Sequence, residues 1–459
     1  MKLQRYCYFG SLALFLIILT SCSSIATNVE AFKKIERSTE QGYFAEAVSQ
    51  IEANKGKLYS KKDRVLYYLD LGLLYHYNGD FEKSNELLTE ADLAIEDLFT
   101  KSVSKAAASL LLNDNALEYP GEDYEDIYVS IFKALNYLQL NKFDEAFVEI
   151  RRVNEKLNIL EDKYKDLSKA LQKSEDAKAT IQSQHSRFHN SIFARYISML
   201  LYLAEGMTDE AMIDKKHIKS GWLQQANIYD FPQPNFDKYF EQSQKPKVRF
   251  VSFTGKAPYK KPAERRIATT PYSVIITGNE PYRFYDEFYW PGIEGSYYFK
   301  FSLPYMHRKD SNVKKIKVYT NDEYRGELEK IEDIGNLAVE TFAVKAPIIY
   351  FKAFTRSIIK GVVAEKAKEE MKKKNEGFAG MLLGLAADIA VDISENADLR
   401  TSRFLPNEVY VGEVELDSGV YNIRIDYLDS YGRLIHSHRK EGYEVKNNPM
   451  NMINSYYPN

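Results

Sequence analysis

Residues 67–91 carry the pattern that most restricts the fold of this chain. In YYLDLGLLYHYNGDFEKSNELLTEA, apolar and small side chains recur every three to four residues on both sides of the polar turn Asn78-Gly79-Asp80. Apolar residues at this spacing form one face of an α-helix, and a glycine between polar residues marks a turn. The sequence therefore predicts a helix, a turn and a second helix.

The large and small positions of this hairpin resemble those of the tetratricopeptide repeat (TPR), in which paired helices stack on one another. The matching positions are Tyr68, Leu71, Gly72, Tyr75, Phe81, Ser84, Leu88 and Ala91. Looser copies of the template occur at residues 40–52, 132–150 and 196–214. Residues 22–230 are therefore predicted to form a TPR-like helical solenoid with inserted helices, of which the charged stretch 155–187 is one.

A solenoid of stacked repeats forms a concave surface that binds a partner. By template position, its inner surface would carry Leu73, His76, Tyr77, Tyr128, Ile131, Phe193 and Tyr196. Aromatic anchors often dominate the energy of an interface, so these residues are the candidate partner groove. The alternative is that the inserted helices pack against these side chains and fill the groove.

The sequence pattern changes from helical to strand-like near residue 231. The prolines of DFPQPNF there indicate a linker over residues 231–241. Residues 242–450 are predicted to form a β-rich, antiparallel, sandwich-like domain, because runs of β-branched and aromatic residues alternate with turn residues. The predicted strands are Val248–Thr254, Tyr272–Thr277, Ser296–Leu303, Val313–Thr320, Val409–Leu416 and Val420–Tyr427. A helical insertion is predicted at about residues 332–396, which makes the fold class α+β.

The predicted insertion contains residues 377–393, GFAGMLLGLAADIAVDI, whose glycines and alanines permit close helix packing. This segment is shorter than the ~20 residues of a membrane-spanning helix, and it carries Asp388 and Asp392. We expect a buried helical hairpin or a self-association surface. Membrane insertion after a conformational change is the alternative.

The N-terminus has the features of an export leader, with a short basic start followed by an apolar run. Leu19-Thr20-Ser21-Cys22 resembles the bacterial lipobox, which implies removal of residues 1–21, a covalent lipid on Cys22, and attachment to a membrane through that lipid. Ser23 favours the outer membrane over the inner one. The alternative is an ordinary secretory signal or an uncleaved anchor. The only other cysteine, Cys7, lies in the leader. After cleavage the chain would therefore have no second cysteine for a disulfide and no thiolate metal site.

Charge and motifs argue against nucleic-acid binding and catalysis. The chain has 62 basic and 65 acidic residues, which is not the basic excess of a nucleic-acid binder. It contains no nucleophile elbow, phosphate loop or zinc-protease helix motif, so we predict no enzyme activity, no metal and no cofactor besides the lipid. His436 and His438 share one face of a predicted strand, and without a third ligand we interpret them as surface histidines.

Several sequence segments together resemble those of a broad family of bacterial outer-membrane-type lipoproteins with TPR-like repeats and a C-terminal β-rich domain. They lie at residues 119–138, 145–157, 255–261, 354–363 and 397–425, and the most distinctive is ADLRTSRFLP in the last of these. The resemblance implies a periplasmic assembly role. Arg400 and Arg403 are either functional or salt-bridged residues that fix the loop before the strand at 409–416, and we favour the structural role.

These observations predict an envelope-anchored lipoprotein that faces the periplasm and acts as a protein–protein interaction scaffold or assembly factor. Its partners would be other cell-envelope proteins, including other lipoproteins, and homo-oligomerisation stays open. One alternative is an oligomeric secretion or pore-associated component that uses the helical insertion. The other is a cell-wall-binding or hydrolytic protein.

Overall fold

The helical part of the chain precedes the sheets, as the sequence predicts. The computed structural model describes residues 32–106, 112–173, 185–241, 243–271, 273–278, 284–289, 298–374, 397–447 and 450–459, together with residue 296. The leader at residues 1–21, Cys22 and the segment 377–393 lie outside the described residues. The fold class is α+β.

The helical region begins with a helical segment at residues 32–40 and continues as a series of antiparallel helices. These are α1 (Phe44–Leu58), α2 (Arg64–Asn78), α3 (Phe81–Ser104), α4 (Asp123–Gln139), α5 (Phe143–Gln172), α6 (Ile192–Ala204) and α7 (Thr208–Gln224). Hairpins form between α2 and α3, between α4 and α5, and between α6 and α7. Of these helices α5 is the longest, and its second half extends beyond its hairpin partner.

The helix–turn–helix predicted at residues 67–91 is confirmed as α2 and α3. Gly79 ends α2 in the left-handed conformation that glycine adopts at low cost, and the Asp80 carboxylate caps α3 by accepting from the backbone N–H of Lys83. Gly72 lets the helices approach closely, since a Cβ there would lie 2.9 Å from the Leu88 side chain. The buried Ser84 hydroxyl donates to the Gly72 carbonyl oxygen at 2.7 Å.

Two sheets follow the helices. Their strands are β1 (Lys247–Thr254), β2 (Tyr259–Thr270), β3 (Ser273–Gly278), β4 (Phe284–Tyr289), β5 (Tyr298–His307), β6 (Lys315–Thr320), β7 (Glu323–Asp333), β8 (Glu408–Glu415), β9 (Gly419–Leu428), β10 (Leu434–Val445) and β11 (Asn451–Tyr457). The larger sheet has the order β10-β9-β6-β7-β8-β1-β11, and the smaller one has the order β4-β3-β2-β5. Helix α8 (Ile334–Lys374) lies between β7 and β8 in sequence and packs on β5.

The larger sheet separates two hydrophobic cores because side chains alternate between its faces. On β1, Val251 and Phe253 face the helices, whereas Val248 and Phe250 face a core enclosed by the sheet itself. In that enclosed core the Tyr427 hydroxyl donates to the Ser455 hydroxyl at 2.7 Å, across strands from opposite halves of the sheet. The sheet therefore curls around its own core, and the predicted packing of two sheets face to face is not what fills it.

The antiparallel prediction holds for the described strand pairs with one exception, since β1 pairs with β11 in parallel. Strand β11 begins after residue 450, where the predicted β-rich domain ends, and β7 extends past residue 332, where the predicted insertion begins. Strand β7 is not among the predicted strands because its residues are mostly charged, and charged residues are depleted in strands.

The predicted linker at residues 231–241 packs into the protein. Phe236 and Tyr239 are buried in the same hydrophobic core as α4, α6 and the helix-facing side of the larger sheet. This segment therefore contributes apolar surface to the contact between helices and sheet. Among the described residues, every helix is too short or too polar to cross a bilayer.

Candidate functional site

The residues of the predicted groove lie in or against the hydrophobic core that the helices share with the larger sheet. Six of them are buried: Leu73, His76, Tyr128, Ile131, Phe193 and Tyr196. Tyr77 is half-buried, and its ring stacks on Tyr456 of β11 with centroids 4.2 Å apart. These side chains are therefore packed within the protein, with Tyr77, Tyr128 and Phe193 in contact with the larger sheet, and the expectation of an open groove is corrected.

Polar contacts also join the helices to the C-terminal region. The Tyr77 hydroxyl donates to the Phe404 carbonyl oxygen at 3.0 Å, and the Tyr196 hydroxyl donates to that of Tyr239 at 3.3 Å. Inserted helices were the predicted alternative occupants, but the sheet and the segment before β8 take that place. An amphipathic helix pattern shows that a face is buried without showing what buries it.

Residues 397–407, the described part of the connection between α8 and β8, form a connecting segment that binds two buried carboxylates of the helical region. Asp70 on α2 accepts from the Ser402 hydroxyl at 2.7 Å and from the Arg403 backbone N–H at 3.0 Å. Glu125 on α4 accepts from the Ser402 backbone N–H at 2.6 Å and from the Tyr119 hydroxyl at 2.7 Å. This connecting segment therefore joins α2 and α4 to the larger sheet.

Arg400 and Arg403 of the connecting segment make structural contacts. The Arg400 guanidinium pairs with Asp398 at 2.8 Å and with Asp63 at 3.1 Å, and it also donates to the carbonyl oxygens of Asp114 and Leu117. Arg403 pairs with Glu36 in the helical segment 32–40 and lies over the Phe32 ring. The favoured structural role of both arginines therefore agrees with their contacts.

A third buried carboxylate, Glu332 on β7, organises the start of α6. It accepts from the Phe193 backbone N–H at 2.7 Å and from the hydroxyls of Tyr128, Ser191 and Tyr229 at 3.1 to 3.3 Å. The carboxylate thus satisfies a backbone donor that a helix N-terminus leaves without an intrahelical acceptor. Strand β7 is in this way joined directly to α4 and α6.

Burial raises the pKa of each of these carboxyl groups. The pKa is about 7 for Glu125, where Glu122 adds to the effect of burial, about 7 for Glu332 and about 6 for Asp70. Burial acts in the opposite direction on His76 and His438, whose pKa falls to about 4 in each case. A free histidine has a pKa near 6.5, so the unfolded chain still holds some protons on these two histidines just above that pH, and they offset part of the carboxyl effect.

We therefore expect the free energy of unfolding to fall as the pH rises from 6.5 to 8. A raised carboxyl pKa means that the folded state holds protons that the unfolded state has released, so its stabilising effect is lost as the pH passes the folded pKa. The three carboxyl groups alone give a loss on the order of 1–2 kcal/mol over this window, and the two histidines reduce the net loss. Urea unfolding at several pH values measures it. A double variant Glu125→Gln plus Glu332→Gln should flatten the profile, whereas stability that rises with pH would contradict this prediction.

A cavity of about 420 Å³ lies beside the connecting segment, in the size range of small-molecule sites. Its walls come from the end of α3, the loop before α4, the second half of α5 and the first half of α8, with Pro304 and Lys260 from the smaller sheet. Most of its lining surface is apolar, with contributions from Leu98, Tyr164, Leu167, Leu171 and Ile348. The helices and the C-terminal region therefore form this cavity together.

Charged groups are concentrated at the cavity wall where α4 begins. Lys260 donates to Glu122 at 2.8 Å, and Lys345 donates to the same carboxylate at 3.2 Å. Lys163 donates to Asp123 at 2.7 Å, and the Tyr164 hydroxyl donates to that carboxylate at 2.5 Å. Among the described lining residues there are six lysines and four carboxylates; the lysines are Lys101, Lys105, Lys163, Lys260, Lys345 and Lys352.

Sequence reasoning missed both the cavity and the buried carboxylates. The buried carboxylate of Asp70 could have been predicted, because an acidic residue inside the apolar run YYLDLGLL falls on a buried helix position. No sequence pattern indicated the cavity, because its lysines come from distant parts of the chain and lysine on a helix normally indicates an exposed face.

The two histidines of β10 are half-buried, and the His436 ring stacks on Tyr457 with centroids 4.6 Å apart. Within the described part of the chain, no group of three or more metal-ligating side chains is placed to hold an ion. Comparison with protein-family models, with curated proteins and with solved structures finds no match to this chain.

Proposed function

We propose that this protein is a lipid-anchored protein of the bacterial cell envelope that binds a small apolar or amphiphilic molecule in the cavity between α3, α5 and α8. The observation that carries the proposal is the cavity itself, which combines about 420 Å³ and a mostly apolar lining surface with charged side chains, several of them at the start of α4. Such a combination is typical of ligand sites. Burying an alkyl chain there would contribute about 0.8 kcal/mol per CH₂ group.

The proposed anchor supports this function through proximity to the membrane. Nine residues separate Cys22 from Phe32, and fully extended they would span at most about 30 Å. The helical segment 32–40 is held to the rest of the protein through Glu36, which pairs with both Arg403 and Lys256. A lipid on Cys22 would therefore keep the cavity near a membrane surface, which is a source of amphiphilic molecules.

Photolabelling tests the proposed function. The full chain, in phosphatidylcholine nanodiscs, is irradiated with hexadecanol or hexadecanoic acid carrying a diazirine on the chain, and labelled peptides are mapped by mass spectrometry. Label is expected around Leu167, Leu171 and Ile348, and Leu167→Trp should reduce it by filling the cavity. Leu223→Trp, at a leucine that is 73% exposed on α7, is the matched control. Label absent from the cavity with both probes, or unchanged by Leu167→Trp, would refute the proposal.

The scaffold role remains a second proposal, now placed on the outer helices. We infer that the hairpins are TPR-like, because Ala47, Ala91, Ala134, Ala146 and Ala211 occupy small-residue template positions and are fully buried. The helices that follow each turn expose large apolar side chains: Leu93 on α3, Ile159 on α5, and Ile213 and Leu223 on α7. An envelope protein, including another lipoprotein, would bind this outer face.

A cross-linking pull-down from native envelope tests the second proposal. A specific envelope protein retained by the full chain should be lost with Ile213→Glu plus Leu223→Glu. It should be kept with Tyr431→Ser, a change at an exposed aromatic residue in the turn between β9 and β10. Equal retention by both variants would exclude the outer face as the binding surface.

A further inference from the structure

We propose that the cavity selects amphiphiles with an anionic head group, which its lysines bind at the wall formed by the start of α4. This inference rests on the proposed function, because it names the class of ligand for the same cavity. Charged side chains line a space whose remaining surface is mostly apolar. Charge inside an apolar cavity is costly unless it is paired, so its sign and arrangement indicate what the cavity is built to receive.

The ammonium groups outnumber the carboxylates where the charges converge. Lys163, Lys260 and Lys345 share the two carboxylates Glu122 and Asp123. Three positive charges against two negative ones leave one positive charge in excess at this wall. Two other lysines of the lining have carboxylates of their own, since Lys101 pairs with Asp97 and Lys352 pairs with Asp114. An anionic head group would complete the pairing, a neutral one would not, and a cationic one would be repelled.

The three lysines are held in place and keep donor capacity for a ligand. Their side chains are between 3% and 15% exposed, so they stand at the cavity wall rather than free in solvent. A lysine ammonium has three N–H donors. Within the described part of the chain, Lys163 Nζ uses one acceptor, Asp123, while Lys345 Nζ uses the Glu122 carboxylate and the Gly121 carbonyl oxygen. Lys260 Nζ uses one acceptor there, Glu122. Each of the three groups therefore has at least one donor left to bind an anionic oxygen.

The apolar lining lies next to these donors and favours an apolar chain attached to the head group of the ligand. Tyr164 and Leu171 follow Lys163 along α5, and Ile348 follows Lys345 by one helical turn on α8. The same helices thus present lysines at one position and apolar side chains at the next turns. A carboxylate or phosphate head at the lysines would place an attached alkyl chain against these apolar residues, as in a fatty acid or a single-chain phospholipid.

The test compares three diazirine probes with the same chain and different heads: hexadecanoic acid, hexadecanol and hexadecyltrimethylammonium. The full chain in phosphatidylcholine nanodiscs is labelled with each, and label at the cavity peptides is quantified. We expect the acid to label at about tenfold lower concentration than the alcohol, and the ammonium probe to label least. Lys163→Met should remove the preference for the acid, and Lys163→Arg, which keeps the charge, should restore it. Lys165→Met, at an exposed lysine of the same helix, is the matched control.

The outcomes separate this inference from the proposed function. Equal labelling by acid and alcohol, or stronger labelling by the ammonium probe, overturns the anionic preference but leaves a cavity that binds amphiphiles. Absence of label at the cavity with all three probes overturns both. Thermal unfolding of Lys163→Met and Lys163→Arg shows whether each variant is folded, and the preference is read only from variants that unfold cooperatively.

Discussion

Replacing Tyr77 by alanine should lower the free energy of unfolding by about 3–4 kcal/mol, as expected for removing an aromatic ring from a packed interface. The ring stacks on Tyr456 and contacts Phe132 edge-on, with centroids 5.8 Å apart, and its hydroxyl binds the Phe404 carbonyl oxygen. One side chain thus joins α2 to α4, to the connecting segment and to β11. Urea unfolding of the full chain, followed by tyrosine and tryptophan fluorescence, measures the loss.

Tyr43→Ala is the matched control, because Tyr43 is 58% exposed just before α1. Its effect should stay within about 0.5 kcal/mol, as for most surface substitutions. A Tyr77→Ala variant as stable as the parent protein would contradict the packing described here. It would also revive the interpretation of Tyr77 as part of an open partner groove, since such a residue affects binding and leaves stability unchanged.

Glu332→Ala should cost about 3–5 kcal/mol at pH 6, because it removes the shared acceptor of a buried polar cluster. The Phe193 N–H and the hydroxyls of Tyr128, Ser191 and Tyr229 lose this acceptor together, and the truncated side chain leaves a cavity. The loss should be smaller at pH 8, where the parent protein itself is destabilised by ionisation of Glu332. Urea unfolding at the two pH values measures both effects.

Glu329→Ala, on the same strand, is the control for Glu332→Ala. Glu329 is partly exposed and pairs with Lys238, and surface ion pairs contribute about 1 kcal/mol or less. Similar losses for the two variants would show that β7 is sensitive to any substitution and that the Glu332 cluster has no special role. Two-state unfolding, with one transition by fluorescence and circular dichroism, is the condition for comparing them.

Local patterns in the sequence were sufficient to predict the helical hairpins and most strands. The period of apolar residues and the glycine at Gly79 specify α2 and α3, and alternating β-branched residues specify β1, β6, β8 and β9. Strand β2 was missed because its segment YKKPAERRIATT is rich in charge and contains Pro262, both of which argue against a strand.

The contacts between distant segments could not be predicted from the same patterns. Phe132 and Phe253 are 121 residues apart in sequence, yet their rings stack with centroids 5.1 Å apart. Nothing in the local sequence of α4 indicates that β1 covers it, so its buried aromatic residues were assigned to a partner protein. The candidate site had the same difficulty, since its lysines come from α3, α5, α8 and β2.

The parallel pairing of β1 with β11 has a consequence for how the protein forms in the cell. About 200 residues separate Phe250 from Ile453, its partner in the strand pair. Strand β1 therefore cannot complete its pairing until β11, which is synthesised much later, has formed. Non-local pairing of this kind slows folding and leaves strand edges exposed in the meantime. A chain interrupted before residue 451 would leave that edge of β1 bare and Tyr77 without its stacking partner. Proteases and chaperones should bind such fragments through the exposed strand edge. Only chains that extend through β11 would then reach the native fold.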